Sequence, residues 1–322
     1  MRIGLTYDLQ TDPSDERQAE FDPPRTLRAL MQALESLGHS VVPIGGAERL
    51  RAWLGAGEAV DLVFNLAEGF GGRCRESIVP ALLEQAGVPY VGSGPDALAL
   101  GLDKLMTKRV AAASGVPTPR WTHMDASSGP VWQGSFPVIL KPRWEGSGIG
   151  IDEDAVAHDP SSLMRRAQAL WSRWTEPLLV EEFIDGGELT VLLIGNDPPT
   201  AYPPIQRPID TRTHLASHVV RHAASWDAPL TLTEALEAQA RRAALAMFEA
   251  VGCRDMARVD FRVDTEGRVW FLEINPLPSL DPEGTFGLLA ESMGLTYAQL
   301  IGRVLEAAVT RLARAREPQP SR

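Results

Sequence analysis

The residues that could carry chemistry in this sequence are concentrated at positions 257–275, which read as two strands around a turn. Side chains of a strand alternate between its faces, so Arg258 and Asp260 share one face, and Glu273 and Asn275 share a face of the returning strand. If the two polar faces coincide, Asp260, Glu273 and Asn275 offer hard oxygen ligands. Such ligands suit Mg²⁺ held partly by the phosphates of a nucleotide. The alternative is a surface hairpin with a solvated polar face.

The elements that must position this hairpin have the pattern of an α/β chain, because strands and helices alternate through the first hundred residues. Open α/β sheets bind ligands at the carboxyl ends of their strands, which makes Glu68 and the glycines after it a candidate ligand loop. A glycine-rich turn without a ligand remains the alternative there. Residues 178–184 and 188–195 are predicted to form a strand pair across a turn at 185–187. The remaining predicted strands are 2–7, 40–44, 61–65, 89–93, 121–125 and 137–141, and the predicted helices are 26–37, 47–54, 77–87, 103–114, 161–174, 233–251, 286–293 and 297–316.

A second stretch, positions 141–150, begins with a lysine at the end of a predicted strand and continues as a glycine-rich loop. Glycines let backbone N–H groups close over an anion. Only three of the 31 cationic side chains are lysines, so each lysine is informative, and a compact ammonium on a flexible stem suits a phosphate. Lys104 and Lys141 are therefore the candidates for phosphate contact. A plain hairpin loop is the alternative interpretation of the stretch.

The region from 198 to 229 is irregular and contains His214, His218 and His222, which would share a face if they lay on a helix. They could contact a substrate or its phosphate, bind zinc, or simply be solvated.

Composition narrows the class of protein. The 322 residues are 44% hydrophobic and 23% charged, from which we expect two or three packed subdomains. No apolar run approaches the roughly 18 residues of a membrane span, and the N-terminus is too polar for a signal peptide, so we expect a cytoplasmic protein without membrane partners. The net charge of −11 argues against non-specific nucleic-acid binding. Cys74 and Cys253 are far apart and predict neither a disulfide framework nor a zinc site.

Seven ordered blocks together resemble the D-alanine–D-alanine ligase family of the ATP-grasp superfamily. They are PYVGSG at 89–94, DK at 103–104 with Lys108, KPRWEGSGIG at 141–150, EEF at 181–183, GELTV at 187–191, ARVD at 257–260 and LEIN at 272–275. The resemblance implies an α/β (α+β) ATP-grasp fold with ATP between two antiparallel sheets. It also implies three subdomains: a substrate domain at 1–115, a central ATP-grasp subdomain at 116–186, and a C-terminal one with the metal site at 187–322.

The resemblance also implies roles for individual residues and a homodimeric enzyme that forms an amide through an acyl phosphate. Arg258, which would stabilise a tetrahedral oxyanion, and Ser147 are the implied catalytic residues. Two Mg²⁺ ions, with Mn²⁺ as an alternative, would bind Asp260, Glu273 and Asn275. The implied ATP contacts are Lys104 and Lys141 at the phosphates, Ser147 and Gly148 over the γ-phosphate, Glu181, Glu182 and Ile184 at adenine, and Glu188 at the ribose.

Departures from the family pattern cluster on the substrate side. Glu68 stands where the family has a histidine, and the loop after Asn275, with Ser279 and Gly284, is altered. His218 lies where the family has a Tyr and Lys, and the acid that binds the first substrate's ammonium is ambiguous among Glu16, Glu20 and Asp22. Since binding groups decide which substrate is accepted, we expect an ATP-dependent carboxylate–amine ligase acting on other amino-acid-like substrates. The alternatives are a D-alanine–D-alanine ligase and a non-catalytic ATP-binding protein.

Overall fold

The computed structural model describes residues 1–127, 132–216 and 225–316. Its first part is a parallel sheet with helices on both sides, as the alternation of strands and helices predicts. The strands are β1 (Arg2–Tyr7), β2 (Ser40–Pro43), β3 (Leu62–Leu66) and β4 (Tyr90–Val91), in the order β2-β1-β3-β4. The helices are α1 (Pro24–Ser36), α2 (Ala47–Gly55), α3 (Ile78–Ala86), α4 (Pro95–Leu102) and α5 (Lys104–Ala113). A 3-10 turn, Arg75–Ser77, precedes α3.

The middle of the chain forms an antiparallel sheet covered by one helix. Its strands are β5 (Trp121–Met124), β6 (Val138–Pro142), β7 (Val156–Ala157) and β8 (Leu178–Glu182), in the order β5-β8-β6-β7. Helix α6 (Pro160–Trp171) begins with a capping box in which Asp159 accepts from the backbone N–H groups of Ser161 and Ser162. Its apolar side packs on the buried face of the sheet through Leu163 and Leu170.

The last part of the chain forms a second antiparallel sheet in the order β10-β9-β14-β15, with β11 also paired to β9. The strands are β9 (Gly187–Ile194), β10 (Thr200–Ala201), β11 (Ile205–Arg207), a separate pair β12 (Ile209–Asp210) and β13 (Trp226–Asp227), then β14 (Met256–Val263) and β15 (Val269–Asn275). Helix α7 (Glu234–Val251), capped by Thr233, packs on this sheet, and α8 (Thr285–Ser292) and α9 (Tyr297–Arg316) follow. Helix α9 packs back on α1, so the end of the chain covers the first sheet.

The predicted strand pair at 178–184 and 188–195 is wrong, because β8 and β9 belong to different sheets. β8 pairs with β5 and β6, whereas β9 pairs with β14 and β11. The turn between them instead carries the chain across from one sheet to the other. Gly186 permits this crossing: its φ is +135°, and a Cβ there would lie 2.0 Å from the carbonyl oxygen of Val263. Local turn chemistry does not distinguish a hairpin from such a crossover.

Helix α4 was not predicted from the sequence. It packs against β15 and against Pro276, the residue that follows β15. Gly101 is required for the contact with Pro276, since a Cβ at Gly101 would lie 2.5 Å from Pro276 Cδ. Through this contact, helix α4 of the first part of the chain reaches the hairpin that carries Glu273.

Candidate active site

The predicted hairpin is confirmed, and its two polar faces coincide. In the register of β14 and β15, Asp260 is opposite Glu273 and Arg258 is opposite Asn275. A bulge after Asp260 shifts the register. Val259 and Phe261 lie fully buried in the core beneath, so alternation puts Arg258 and Asp260 on the other face of β14. The bulge brings Glu273 and Asn275 of β15 to that same face.

Asp260 is the most heavily bonded carboxylate of this face. Thr190 Oγ1 donates to Asp260 Oδ1 at 2.7 Å, and Arg258 Nε donates to Oδ2 at 3.0 Å. Burial opposes ionisation of Asp260, but the cationic groups of Arg258 and Arg207 outweigh it, so the pKa of Asp260 lies below its ordinary value. Burial is likewise outweighed at Glu273, chiefly by Lys104, and its pKa is also lowered. Both carboxylates are thus held ionised.

These residues fit a magnesium site. Ionised carboxylates and an amide oxygen are the ligand types that Mg²⁺ prefers when substrate phosphates complete its coordination. Asn275 Nδ2 faces Asp260 Oδ2 at 3.4 Å, which leaves the amide oxygen as its ligand atom. Across the described ranges, no group of three or more His, Cys, Asp and Glu side chains is arranged to hold a metal. The fit therefore depends on the two carboxylates together with Asn275.

All three lysines of the chain lie beside this hairpin or its facing sheet. Lys104 Nζ is 3.5 Å from Glu273 Oε2. Lys141 Nζ and Lys108 Nζ are each 2.5 Å from one of the two carboxylate oxygens of Glu181, and all three of these side chains are nearly buried. Burial opposes the charge of Glu181, but the two ammonium groups lower its pKa below the ordinary value. No role was predicted for Lys108 from the sequence, although lysine is equally scarce there.

Replacing Lys108 by Met should destabilise the protein by roughly 3 kcal/mol, because it leaves one oxygen of the buried Glu181 without its cation. Urea denaturation with a folding-sensitive fluorescence signal measures this. The matched control is Arg109→Met on the next residue of α5, which is exposed and should stay within about 0.5 kcal/mol of the parent. If Lys108→Met lowers the free energy of unfolding by no more than the control does, the pairing of Lys108 with Glu181 has no structural role.

The glycine-rich loop after β6 adopts a conformation suited to backbone contacts. Ser147 has a φ of +48°, and Gly148 and Gly150 also have positive φ, so successive N–H groups can converge. Two acidic residues of the segment before α1 accept from these groups: Gly146 N donates to Glu20 Oε1 at 2.8 Å, and Gly150 N donates to Glu16 Oε1 at 3.0 Å. The loop is thus an anion-binding element in this structure, with carboxylates as its partners.

Two cavities meet at Lys104 and Glu273, which line both. The first has a volume of about 420 Å³ and lies between the segment before α1, the 3-10 turn at Arg75–Ser77 and the loop after β15. The second, of about 70 Å³, lies between the two antiparallel sheets. Predicted site residues lining the first are Glu68, Lys104, Ser147, Arg258, Glu273, Asn275 and Ser279, and those lining the second are Lys104, Lys141, Gly148, Glu181, Glu182, Ile184, Glu188, Asp260 and Glu273.

The first cavity brings together two of the predicted substrate residues, Glu68 and Ser279. Gly284 lines neither cavity and instead caps α8, while Asp281 of the same loop lines the first. His218 and His222 lie outside the described residues. His214 lies in a turn with a φ of +56°, not on a helix, and its Nδ1 is 2.5 Å from Asp185 Oδ1.

Comparison with known proteins places the chain in a family. Residues 117–306 match the family model described as D-ala D-ala ligase C-terminus. The chain is 34% identical to the D-alanine–D-alanine ligase of Synechococcus sp. (strain JA-3-3Ab), over 96% of this chain and 95% of that protein. It is 33% identical to the uncharacterized protein y4sG of Sinorhizobium fredii, over 88% of this chain and 87% of that protein.

Solved structures agree in fold. The D-alanine–D-alanine ligase of Bacillus anthracis complexed with ATP superposes with a TM-score of 0.77 at 22% identity, covering 98% of this chain and 99% of that one. The VanG D-Ala:D-Ser ligase of Enterococcus faecalis gives 0.76 at 17% identity, covering 95% and 99%. No helix in the described part of this chain has the length and hydropathy needed to cross a bilayer. The chain has the ATP-grasp fold and belongs to the D-alanine–D-alanine ligase family, whose members are ATP-dependent ligases that form carbon–nitrogen bonds.

Proposed function

We propose that this protein joins the carboxylate of one amino-acid-like substrate to the amine of another, with ATP converted to ADP and phosphate. The observation that carries the proposal is the meeting of the two cavities at one hairpin. Asp260 and Glu273 border the cavity between the antiparallel sheets, while Arg258 and Glu273 border the larger cavity beside it. A nucleotide in the cavity between the sheets and a carboxylate substrate in the larger cavity would both have their reacting atoms beside β14 and β15.

The cavity between the sheets has the groups that ATP requires. Lys141 and Lys104 supply ammonium groups for phosphates, and Glu182, Ile184 and Glu188 lie along the remaining wall. Glu181 binds two lysines here, so its assigned role at adenine would be to orient Lys141 as well as to contact the base. Magnesium held by Asp260, Glu273 and Asn275 would neutralise charge on the phosphate oxygens during transfer.

The proposed ligation has two steps. A carboxylate oxygen of the first substrate attacks the γ-phosphorus and ADP leaves, which gives an acyl phosphate. The amine of the second substrate then attacks the acyl carbon, phosphate leaves, and the nitrogen loses a proton. Arg258 lines the substrate cavity, and its guanidinium is the donor that would stabilise the oxyanion formed in the second step.

Among the three candidate acids for the first substrate's ammonium, Glu20 is best supported. It lines the substrate cavity together with Ser147 and Arg258, whereas Glu16 does not line that cavity. The side chain of Asp22 is buried and is not among the lining residues.

The second candidate is D-alanine–D-alanine ligation itself. It is favoured by the names of the curated relatives, which match this chain over almost its whole length. The substrate-side departures count against it, since Glu68 lines the cavity and Asp281 of the altered loop does so as well. The alternative of a non-catalytic ATP-binding protein has less support, because Arg258 is hydrogen-bonded to Asp260 and Lys104 is close to Glu273, so these charged side chains are held in place.

The test is ADP release with Mg²⁺ and ATP against single and paired D- and L-amino acids, with mass spectrometry of the products. A dipeptide product from a pair other than D-alanine with D-alanine supports the proposal and names the substrates. Turnover on D-alanine alone, at a higher kcat/KM than on any other pair, would replace it by the second candidate. ATP binding with no ADP release across the panel would overturn both. The predicted homodimer can be measured on the same preparation by light scattering.

A further inference from the structure

Glu76 is a buried carboxylate on the wall of the substrate cavity. It lies in the 3-10 turn before α3, its residue is only 7% exposed, and it borders the cavity of about 420 Å³. Throughout the described ranges, no hydrogen bond or ion pair satisfies its side chain. Glu68, from the loop after β3, is half-buried and borders the same cavity. An ionised carboxylate buried without a partner is costly, so a cavity wall of this kind requires a compensating group.

The nearby cations are already committed to other partners. Arg75 Nη2 is 2.5 Å from Glu20 Oε2, and Arg75 Nη1 donates to the carbonyl oxygen of Trp144 at 2.9 Å. Lys104 Nζ donates to the carbonyl oxygen of Glu145 and lies 3.5 Å from Glu273. Neither cation forms an ion pair with Glu76 or Glu68. The two carboxylates thus face the cavity with no dedicated counter-charge from the described residues.

Acidic groups from several elements reinforce this negative potential. Burial first, and then the charge of Glu20, raises the pKa of Glu76 to about 8, against the opposing effect of Arg75 and Lys104. Burial and the charges of Glu76, Glu20 and Asp22 raise the pKa of Glu68 well above its ordinary value. At neutral pH protons therefore supply the missing positive charge, and a cationic ligand could replace them.

We propose that Glu68 and Glu76 form a subsite for a positively charged side chain, so that one of the two substrates is a basic amino acid or a related diamine. The subsite is separate from Glu20, which is assigned to the α-ammonium. The inference rests on the proposed ligase function, because it names the substrate class of the same cavity. It also gives a reason for an acid at position 68, where the family pattern has a histidine.

Binding without ATP tests the subsite directly. Isothermal titration of the parent protein should show lysine or ornithine, in the D- or L-form, binding more tightly than norleucine by roughly 30-fold or more. Glu68→Gln and Glu76→Gln, which keep the side-chain shape, should each remove most of that preference. The matched control, Glu35→Gln on the exposed face of α1, changes the net charge equally and should keep it. Each variant's melting temperature checks that it is folded.

The pH dependence provides a second readout. At a pH below its pKa of about 8, Glu76 must lose a proton before it can pair with a cation. The affinity for lysine should therefore rise as the pH increases from 6 to 8. Titrations in two buffers of different ionisation enthalpy should reveal release of protons on binding lysine and none on binding norleucine. Glu76→Gln should lower the proton release.

The outcomes separate this inference from the proposed function. Equal binding of lysine, ornithine and norleucine overturns the subsite even if ADP release occurs with neutral pairs, and the ligase proposal then stands. Preferential binding of a basic amino acid with no ADP release in any pairing supports the subsite and overturns the ligase proposal. An unchanged preference in both glutamine variants also overturns the subsite, because another group would then supply the selectivity.

Discussion

Replacing Glu273 by Gln should abolish ADP release while leaving the protein folded. Glu273 lies opposite Asp260 on the hairpin, borders both cavities and is the partner of Lys104. The amide keeps the shape but removes the anionic oxygens that would bind magnesium, and it releases Lys104 from its ion pair. Because the side chain is partly exposed, we expect a change in unfolding free energy of only about 1 kcal/mol or less. ADP release by a coupled assay measures the first effect, and urea denaturation measures the second.

The matched control for this variant lies in the same hairpin. Glu266 is exposed at the turn between β14 and β15, and Glu266→Gln should leave ADP release unchanged. Near-normal activity of Glu273→Gln would rule out the metal assignment. Loss of activity together with loss of folding would point to a structural role of the carboxylate, and magnesium-dependent protection against heating, present in the parent and absent in the variant, distinguishes the two.

Replacing Arg258 by Ala should lower kcat by roughly 10²-fold or more, if the guanidinium stabilises charge that develops only in the transition state. Arg258 Nε donates to Asp260 Oδ2 at 3.0 Å, so the side chain is already fixed in place before a substrate arrives. Its removal should also raise the pKa of Asp260, since Arg258 is the largest influence lowering it. Steady-state kinetics with each substrate varied separately measure kcat and KM.

Two further variants separate these effects of Arg258. Arg258→Lys retains a cation beside Asp260 but not the planar fork, so we expect it to recover the pKa of Asp260 and only part of kcat. Arg268→Ala, at the exposed end of the hairpin turn, is the control and should retain both parameters. A change confined to KM in Arg258→Ala would make the residue a substrate-binding group instead.

The parts of the site that sequence could predict are those carried by short-range order. Alternation places Arg258 and Asp260 on one face of β14, and Glu273 and Asn275 on one face of β15. The bulge after Asp260, which brings these two faces together, was not predicted from the sequence. The long helix α7 likewise agrees with its predicted bounds and its Thr233 cap. In these elements the local pattern and the tertiary contacts favour the same conformation.

The parts that sequence could not predict depend on contacts between distant segments. Nothing near Glu20 in the chain indicates that its carboxylate accepts from Gly146, 126 positions away. The crossover at Gly186 has the composition of a hairpin turn, and only the pairing of β8 and β9 with other strands decides against one. The pairing of Lys108 with Glu181 joins a helix to a strand of another sheet, which no periodicity encodes.

The low exposure of all three lysines has a practical consequence for chemical labelling. Lys104, Lys108 and Lys141 are the chain's only ε-amino groups, and Lys104 and Lys108 are at most 7% exposed. Reagents that acylate exposed ε-amino groups on protein surfaces therefore have no exposed lysine to react with in this protein. Lys108 is fully buried and lines neither cavity, so its acylation requires the structure around Glu181 to open, and the rate of acylation reports how often that happens.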